Sequence, residues 1–404
     1  MPKSRKPRLL VLNQYYWPGV EATAQLLTEL CEALATEAEV KVVTGVLHGH
    51  EEEPRRLVHN GVEILRVPST SFERSRIFAR AANYTTYLTN ALVYGMRGRR
   101  PDVVLCMTDP PIVADVALVV ARRYRAPLVV ISQDVFPEIA VQLKRLENPA
   151  LMSLLRVLVR IYLRRADRLV AIGETMRRRL EEKGAPPDRV RVIPNWVDTT
   201  RLSPSGKDNH WSRGMGLNEK FVVMHSGNVG HAQDLDSLVR ASTFLRDLDD
   251  LVIAIIGTGA RHSELVMLAE LLDADSVRFF YYQSRQVLPQ SLSAADVHVV
   301  GLAPGLAGYV VPSRLYGILA VARPVIVAAD PESETAQVVQ QIGCGIVVPP
   351  GRPELLARAI RDAHDGRYDL ERMGRLGREW VTAEADRDVA VGRYRELLLE
   401  LADI

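Results

Sequence analysis

The sequence has few cysteines and no long apolar segment, and both shortages argue against large classes of protein. Its three cysteines, Cys31, Cys106 and Cys344, lie far apart in 404 residues and form no CxxC pair. This spacing disfavours a disulfide scaffold or a zinc ribbon and fits a reducing compartment. No stretch approaches the roughly 18 apolar residues of a membrane-spanning helix. The apolar run after the basic start MPKSRKPR also ends early, at Asn13. We therefore expect a cytoplasmic protein, with peripheral attachment to the inner face of the membrane as an open alternative.

Net charge is also small, at +2 from 51 Lys and Arg against 49 Asp and Glu. A chain this balanced, with no known nucleic-acid-binding motif, is not expected to bind nucleic acid. Its glycine-containing turns match neither GxGxxG nor the P-loop, so no dinucleotide or ATP fingerprint is predicted. The apolar fraction of 47% is ordinary for a globular protein and, with the length, indicates two or three domains with buried cores.

Short runs rich in Val, Ile and Leu recur along the chain and predict strands that are covered on both faces. In the first half they lie at residues 8–13, 40–45, 62–67, 103–107, 127–132, 168–172 and 190–193. In the second half they lie at 221–226, 251–256, 277–282, 297–302, 324–329 and 345–348. Strands that alternate with helices predict an α/β protein with two Rossmann-like, doubly wound parallel-sheet domains facing a cleft.

The predicted domains are residues 1–198 and 199–380, and residues 381–404 are expected to form a helix that crosses back to the first domain. The polar segment 199–217, which has one proline, three glycines and no apolar period, is the best linker candidate. Ligands of such sheets bind at the carboxyl ends of the strands, so the chemistry is expected in the loops that follow the runs.

Two glycine-containing loops follow predicted strands. Gly19 ends the segment NQYYWPG after the first strand, where a ligand could approach the amides of a helix start; a plain turn is the alternative. In the second half, Gly227, Asn228 and Gly230 begin a loop whose amides and side-chain donors could cradle a diphosphate.

The segment Pro312-Ser313-Arg314 predicts a helix start, with the Ser313 hydroxyl as its cap. Arg314 would place a forked, permanent cation beside the amides of the first turn, and this pair suits a phosphate dianion. An arginine on a solvated helix face is the alternative.

Carboxylates follow two other predicted strands and precede a third. Asp134 is a candidate catalytic or sugar-binding group, with capping of the next helix as the alternative, and Glu138 lies four residues later. Glu332 and Glu334 could accept the hydroxyls of a ribose or cap a helix start. Asp247 and Asp249 form a DxD pattern, but they precede a strand, at the amino end of the sheet, and we interpret them as a solvated turn.

These motifs, in this order, resemble the retaining glycosyltransferases of family 4, which have the GT-B fold. Segments that resemble family motifs are VIPNWVD at 192–198, PSR at 312–314, RPVI at 323–326 and GIVVPPG at 345–351. The segments LNQYYWPG and QDVFPE are more similar to a subgroup that builds bacterial surface polysaccharides, including colanic-acid and O-antigen enzymes. One departure is that Tyr309 and Gly317 stand where the wider family has two glutamates.

The resemblance implies transfer of a sugar, with retention, from a nucleotide-diphosphate sugar, UDP-linked by expectation, to a lipid-linked or saccharide acceptor. It implies no cofactor and no metal. The catalytic candidates are Asp134 and Arg314, and the acceptor candidates are Gly19 and Glu138. The donor candidates are Tyr282 and Gln283 for the base, Glu332 or Glu334 for the ribose, and Gly227, Asn228, Gly230, Ser313 and Arg314 for the diphosphate.

Two stretches of basic residues interleaved with apolar ones suit an anionic membrane surface, although a solvated helix face is the alternative. One has Arg156, Arg160, Arg164 and Arg168 among Leu154, Leu155, Leu158, Ile161 and Tyr162. The other has Arg74, Arg76, Arg80, Arg97, Arg99 and Arg100 around Tyr84, Tyr87, Leu88 and Tyr94. Two other functions also stay open: a hydrolysing nucleotide-sugar epimerase of the same fold, and a catalytically silent partner subunit.

Overall fold

The computed structural model describes residues 5–19, 21–72, 77–142 and 148–402. The chain forms two compact units. Unit 1 comprises the residues up to Pro194 and those from Ala390 onward, and unit 2 comprises Asn195–Val389. Each unit is a sheet covered by helices, so the predicted α/β class with two Rossmann-like parallel sheets is confirmed.

The sheet of unit 1 has eight strands in the order β3-β4-β2-β1-β5-β6-β7-β8. They are β1 (Arg8–Leu12), β2 (Glu39–Thr44), β3 (Arg56–His59), β4 (Val62–Arg66), β5 (Val103–Met107), β6 (Leu128–Ser132), β7 (Arg168–Ala171) and β8 (Val190–Val192). Its helices are α1 (Ala22–Leu34), α2 (Ile77–Gly95), α3 (Val113–Tyr124), α4 (Glu138–Gln142), α5 (Pro149–Arg165) and α6 (Glu174–Glu182). Every residue of β5 and β6 is buried, as the unbroken apolar runs predict.

Strand β3 corrects the prediction of a wholly parallel sheet. It pairs antiparallel with β4 at the edge of the sheet. An edge strand has one neighbour and one open side, so it does not need an apolar run. Val58 in this strand is 72% exposed, and the polar sequence around it gave no strand signal.

The sheet of unit 2 has six parallel strands in the order β11-β10-β9-β12-β13-β14. They are β9 (Phe221–Ser226), β10 (Leu251–Ile256), β11 (Val277–Phe280), β12 (Val297–Gly301), β13 (Val325–Ala328) and β14 (Gly345–Val348). The order reverses direction between β9 and β12, and ligands of open α/β sheets bind at such a switch point, beyond the carboxyl ends of the strands. The loops after β9 and β12 flank this point.

Eight helices have all their residues in the described part of unit 2, and a ninth continues into unit 1. They are α7 (His210–Gly214), α8 (Leu235–Ala241), α9 (His262–Leu271), α10 (Leu288–Ser293), α11 (Arg314–Ala320), α12 (Glu334–Ile342), α13 (Pro353–His364), α14 (Leu370–Glu384) and α15 (Arg387–Ala402). From Ala390 onward, α15 belongs to unit 1. No helix among the described residues is long and apolar enough to cross a membrane.

The segment 199–217 is a packed part of unit 2, so its prediction as a linker is wrong. Lys207 Nζ lies 2.8 and 2.6 Å from the two carboxylate oxygens of Asp296, and Trp211 and Leu217 are buried. Asn209 caps α7 by accepting a hydrogen bond from the Ser212 amide. These long-range contacts hold a segment whose polar sequence has no apolar period.

Candidate active site

Arg314 contacts the loop that follows β9. Its Nη1 lies 3.0 Å from Nδ1 and 2.9 Å from Nε2 of His225, the fifth residue of β9. A Cβ placed on Gly227 would lie 3.6 Å from the Arg314 guanidinium carbon. The guanidinium therefore packs directly against the side of the Gly227 backbone that a side chain would cover. The first residue of α11 and the end of β9 therefore meet at the switch point of the sheet.

The guanidinium of Arg314 is half-buried and has no carboxylate partner among the described residues. Burial lowers the pKa of Arg314 to about 10, which leaves the group cationic at neutral pH. Burial and then the charge of Arg314 hold the pKa of His225 well below its usual range, so the imidazole is neutral and can accept a hydrogen bond. Because buried charges in proteins are normally paired, an uncompensated cation here indicates a site for an anion.

Three amides of the loop after β9, which the sequence predicted to cradle a diphosphate, have acceptors within the protein. The amide of Gly227 donates to the carbonyl of Ile256, that of Val229 to Thr258, and that of Gly230 to the side chain of Gln233. These donors are used inside the protein because the loop packs against the loop after β10. The side chain of Asn228 is exposed. Donor binding at Gly227, Asn228 and Gly230 stays a prediction, but three amides of the segment already have acceptors.

Two glycines of the loop after β10, Gly257 and Gly259, are required by packing against the loop after β9. A Cβ on Gly257 would lie 2.0 Å from the Gly227 carbonyl oxygen, and one on Gly259 would lie 2.2 Å from that of Val229. Both distances are far below contact distance, so the two backbones can approach this closely only at glycine. Gly257 and Gly259 are thus needed for the fold of the two loops.

Helix α11 starts at Arg314 as predicted, but the Ser313 hydroxyl does not cap it. Ser313 stands at the N-cap position with helical backbone angles, and its hydroxyl makes no capping hydrogen bond. The predicted capping role of Ser313 is therefore wrong, since a cap hydroxyl normally reaches the first turn from an extended residue.

The two carboxylates that were candidates for the ribose differ in burial. Glu332 is exposed, whereas Glu334 is half-buried as the first residue of α12. The cap of this helix is Ser333, whose hydroxyl accepts a hydrogen bond from the Ala336 amide at 3.3 Å. Neither glutamate is thus the cap, and contact with a ribose stays a prediction for both.

Tyr282 lies beyond the end of β11, which ends at Phe280 rather than at residue 282 as the sequence predicted. Tyr282 is 62% exposed, so its ring is open to a ligand. The side chain of Gln283 is engaged within unit 2, since its Oε1 accepts a hydrogen bond from Trp211 Nε1 at 2.9 Å. If Gln283 binds the base, its backbone is therefore the part that remains for this contact, and the contact stays a prediction.

In unit 1, Asp134 follows β6 next to the loop after β5. The amide of Gln133 donates to the Thr108 hydroxyl at 3.0 Å, which fixes the two loops together. Burial raises the pKa of Asp134 to about 6. Its carboxylate makes no hydrogen bond to the described residues, so the alternative of a helix cap is wrong. A carboxyl group with a pKa near neutral suits proton exchange or hydrogen bonding to a hydroxyl.

Glu138, the other acidic residue of this segment, has two cationic neighbours within the protein. It forms ion pairs with Lys183 and with Arg156, whose Nε lies 3.4 Å from its Oε1. Only 20% of its side chain is exposed. A role for Glu138 in acceptor binding stays a prediction, and the ion pairs give it a structural role.

Gly19 completes a tight turn before α1, in which its amide donates to the Tyr16 carbonyl at 2.8 Å. A Cβ at this position would lie 2.6 Å from Glu21 Oε2 and 2.9 Å from that carbonyl oxygen. Gly19 also lines a cavity of about 300 Å³ at the carboxyl ends of β1 and β2. The amide is used within the turn, so any contact of Gly19 with a ligand comes from its place on the cavity wall.

The DxD pattern is tied to helix α13. Asp247 accepts two hydrogen bonds of 2.7 Å from the guanidinium of Arg361, which lowers its pKa to about 2. Asp250 pairs with His364 at 3.0 Å. In the described part of the chain no three His, Cys, Asp or Glu side chains group as a metal site.

The two stretches that were predicted to meet a membrane differ in how many of their apolar side chains are exposed. On α5, Leu155 and Tyr162 are buried, while an outer face exposes apolar side chains beside arginines. Its exposed residues include Leu151, Leu154, Val157 and Ile161 with Arg156, Arg160 and Arg164. We call this set the α5 face. Adjoining exposed apolar side chains can mark an interaction surface, and a solvated helix face stays the alternative.

In the second stretch only one of the named apolar residues is buried, and the described arginines Arg97, Arg99 and Arg100 are exposed. Tyr87 is fully buried and its hydroxyl donates to the Val43 carbonyl, and Tyr94 lies between Arg55 and Arg97 at 5.4 Å from each guanidinium. These contacts contradict an aromatic membrane face for Tyr87. Arg74 and Arg76, and the side chain of Arg80, lie outside the described residues.

Sequence reasoning missed His225 and the cavity side chains. His225 sits within the apolar run FVVMHS, which indicates only a core strand, and its partner Arg314 is 89 residues away. A histidine at the carboxyl end of a central strand is a usable signal, because that position faces the ligand edge of the sheet.

Comparison with known proteins matches both units. The family described as Glycosyl transferase 4-like domain matches residues 19–196, and the family Glycosyl transferases group 1 matches residues 209–380. WbjE of Pseudomonas aeruginosa, named as a glycosyltransferase, is 28% identical over 381 residues, which cover 92% of each chain. WcaI of Escherichia coli K12, named for colanic acid biosynthesis, is 28% identical over 236 residues; the match spans 57% of this chain and 57% of WcaI.

Solved structures share the fold of the whole chain. HepE (Alr3699) of Anabaena, solved in complex with UDP, has a TM-score of 0.73 at 16% identity and covers 98% of this chain and 100% of its own. Sucrose-phosphate synthase of Thermosynechococcus elongatus has a TM-score of 0.77 at 16% identity and covers 98% and 99%. With a 4-like domain in the first unit and a group 1 domain in the second, the chain belongs to the GT-B glycosyltransferases of family 4 type.

Proposed function

We propose that the protein transfers a sugar, with retention, from a nucleotide-diphosphate sugar to a lipid-linked or saccharide acceptor in bacterial surface polysaccharide synthesis. The observation that carries the proposal is the half-buried guanidinium of Arg314, which has no carboxylate partner among the described residues. The name of WcaI supports the polysaccharide, the name of WbjE supports sugar transfer, and the UDP complexes of HepE support a UDP-linked donor. Retention is implied by the family resemblance.

Arg314 has the chemistry that departure of a nucleotide diphosphate requires. The bond from the sugar C1 to the diphosphate oxygen breaks, a bond from C1 to an acceptor oxygen forms, and the acceptor hydroxyl passes its proton to the departing diphosphate. Negative charge therefore grows on the diphosphate in the transition state, where a preorganised cation stabilises it. We assign this role to Arg314, so transfer is expected to proceed without an added metal. Asp134, with its raised pKa, is the candidate for a hydrogen bond or proton exchange with a sugar hydroxyl.

The donor is tested by thermal unfolding of the full chain with UDP, GDP and a panel of their sugar conjugates. A ligand that binds the folded state raises the melting temperature, so we expect a rise with UDP and its matching sugar. Transfer to an acceptor is then measured with that donor in the presence of EDTA. Donor consumption without an acceptor would favour the epimerase, and no response to any nucleotide would favour a silent subunit.

The α5 face supports a lipid-linked acceptor. Leu154 and Val157 are 55% and 52% exposed and lie beside Arg156 and Arg160 on the same helix. Apolar side chains that insert among lipids, flanked by arginines that meet anionic headgroups, suit an interfacial helix. We therefore propose that this face rests on the cytoplasmic surface of an anionic membrane.

Replacing Leu154 and Val157 together by aspartate is expected to abolish flotation of the protein with liposomes that contain anionic lipids. Each change removes apolar contact and adds a charge that the surface repels. The matched control is Leu271→Asp on α9, where an apolar side chain is 79% exposed in unit 2. Equal flotation of the double variant and the control would contradict docking through α5.

A further inference from the structure

Arg314 is held by a neutral side chain rather than by a carboxylate. Its Nη1 lies 2.9 Å from Nε2 and 3.0 Å from Nδ1 of His225, whose imidazole is fully buried. Burial keeps the pKa of His225 far below its usual range, so the ring is uncharged and offers an acceptor to the guanidinium. The arginine therefore has a partner that fixes its position without cancelling its charge.

The contact with His225 uses only one nitrogen of the guanidinium. Nε and Nη2 of Arg314 make no hydrogen bond to the described residues, and neither is one of the buried polar atoms that lack a partner. Both atoms therefore keep accessible surface. Gly227 lies beside the guanidinium and has no side chain that could cover them. A planar fork with one nitrogen anchored and two open suits an oxyanion that accepts two parallel hydrogen bonds.

The strand that carries His225 makes the anchor rigid. His225 is the fifth residue of β9, which pairs with β10 on one side and with β12 on the other. The backbone of Asn228 and Val299 and the ring of His298 also face it. His298 is itself engaged, since its Nε2 donates to the Leu292 carbonyl at 2.9 Å. A side chain enclosed in this way has little freedom to move, so it can fix the orientation of a partner.

A carboxylate in the place of His225 would defeat this arrangement. It would hold the guanidinium equally well, but the two opposite charges would cancel at short range and leave little attraction for a diphosphate. An apolar side chain would leave the charge intact, but the long arginine side chain would then be free to take other rotamers. A neutral hydrogen-bond acceptor avoids both losses.

We propose that His225 is a positioning residue that directs Arg314 at the diphosphate of the donor and leaves the charge of the guanidinium uncompensated. The proposal rests on the proposed function and adds a residue that acts through Arg314 without contacting the substrate itself. It also gives a reason for a histidine in the buried strand FVVMHS, where an apolar residue would otherwise be expected.

The test measures the affinity of the full chain for UDP and GDP by calorimetric titration. His225→Gln and His225→Glu are a matched pair, because the new side chains have the same length and differ in charge. His225→Gln keeps a neutral acceptor and is expected to bind within about threefold of the wild type. His225→Glu is expected to weaken binding about 10- to 100-fold, as Arg314→Ala would, because the carboxylate neutralises the guanidinium. His225→Leu removes the acceptor and is expected to weaken binding about tenfold.

A double-mutant cycle separates positioning from a general effect on the fold. If His225 acts through Arg314, His225→Leu causes no further loss of affinity in the Arg314→Ala background. The matched control is His298→Leu, which removes an equally buried imidazole from the neighbouring strand β12 and is expected to leave the affinity unchanged. Thermal unfolding without ligand shows whether each titrated variant is folded. If His225→Glu does not fold, the comparison of His225→Gln with His225→Leu and the cycle still decide.

Equal losses in His225→Gln and His225→Leu, or wild-type affinity in folded His225→Glu, would overturn the proposal. A loss in His225→Leu that persists in the Arg314→Ala background, or an equal loss in His298→Leu, would also overturn it. Weak binding by Arg314→Ala with wild-type binding by His225→Leu rejects the role of His225 alone. No binding of either nucleotide by the wild type rejects the proposed function, and the role of His225 with it.

Discussion

Replacing Arg314 by alanine is expected to lower kcat/KM for sugar transfer about 100- to 1,000-fold, a loss of about 3–4 kcal/mol of transition-state stabilisation. The guanidinium is half-buried against the loop after β9, where water screens its charge less than at the surface. The protein is expected to stay folded, since the change removes a desolvated cation and leaves no carboxylate of the described residues unpaired. Initial rates at saturating and subsaturating donor concentrations separate kcat from KM.

Two further variants make this result specific. Arg314→Lys keeps the charge but loses the planar fork, so its activity is expected to lie between the wild type and Arg314→Ala. The matched control is Arg358→Ala, because the Arg358 side chain is 76% exposed on α13 of the same unit. Wild-type transfer by folded Arg314→Ala would remove the arginine from the mechanism and leave the proposed function without its main support.

The central strands are predictable from the sequence because burial on both faces leaves an unbroken apolar run. Strand β5 is such a case, since all its residues are buried. Strand β3 is not, because one side of an edge strand faces solvent and its residues can be polar. The packed segment 199–217 escapes prediction for a related reason: an ion pair between Lys207 and Asp296 leaves no periodic signal.

Those parts of the candidate site that depend on the chemistry of a single residue are predictable from the sequence. Arg314 is predicted as a site residue because the order proline, serine, arginine indicates a helix start. Asp134 is predicted because it is a carboxylate directly after an apolar run. The contact of Arg314 with His225 cannot be read in this way, because it joins residues 89 positions apart. The raised pKa of Asp134 likewise depends on burial by surrounding elements that the local sequence does not specify.

Glycines mislead the sequence analysis most clearly, because two different needs select the same residue. A glycine beside a strand end can admit a phosphate, or it can admit another backbone. At Gly257 and Gly259 the neighbour is backbone, at 2.0 and 2.2 Å from the position of a Cβ. At Gly227 the neighbour is the guanidinium of Arg314, at 3.6 Å. Glycine meets both needs, so the sequence alone does not show which need applies at a given position. The three-dimensional structure does.

Replacing Gly257 by alanine is expected to lower the free energy of unfolding by about 3 kcal/mol or more. The new Cβ would lie 2.0 Å from the Gly227 carbonyl oxygen, and the backbone has a φ of +135°, which residues with a side chain rarely adopt. Denaturant unfolding measures the loss. The matched control is Gly214→Ala at the end of α7, where no atom outside the adjoining residues and the helix backbone lies within 4 Å of the new Cβ. Its effect should stay within about 0.5 kcal/mol.

The same change tests the link between the packing of the loops and the anion site. The Gly227 amide donates to Ile256 at 2.9 Å, directly before Gly257, so a shift of residue 257 moves Gly227 and alters the surface against which Arg314 lies. Gly257→Ala is therefore expected to weaken UDP binding at temperatures where the variant is still folded, whereas Gly214→Ala leaves it unchanged. Calorimetric titration measures both. Wild-type UDP affinity in a clearly destabilised Gly257→Ala would show that the anion binds elsewhere, because the Gly227 backbone cannot keep its place against Arg314 while it makes room for the new methyl group.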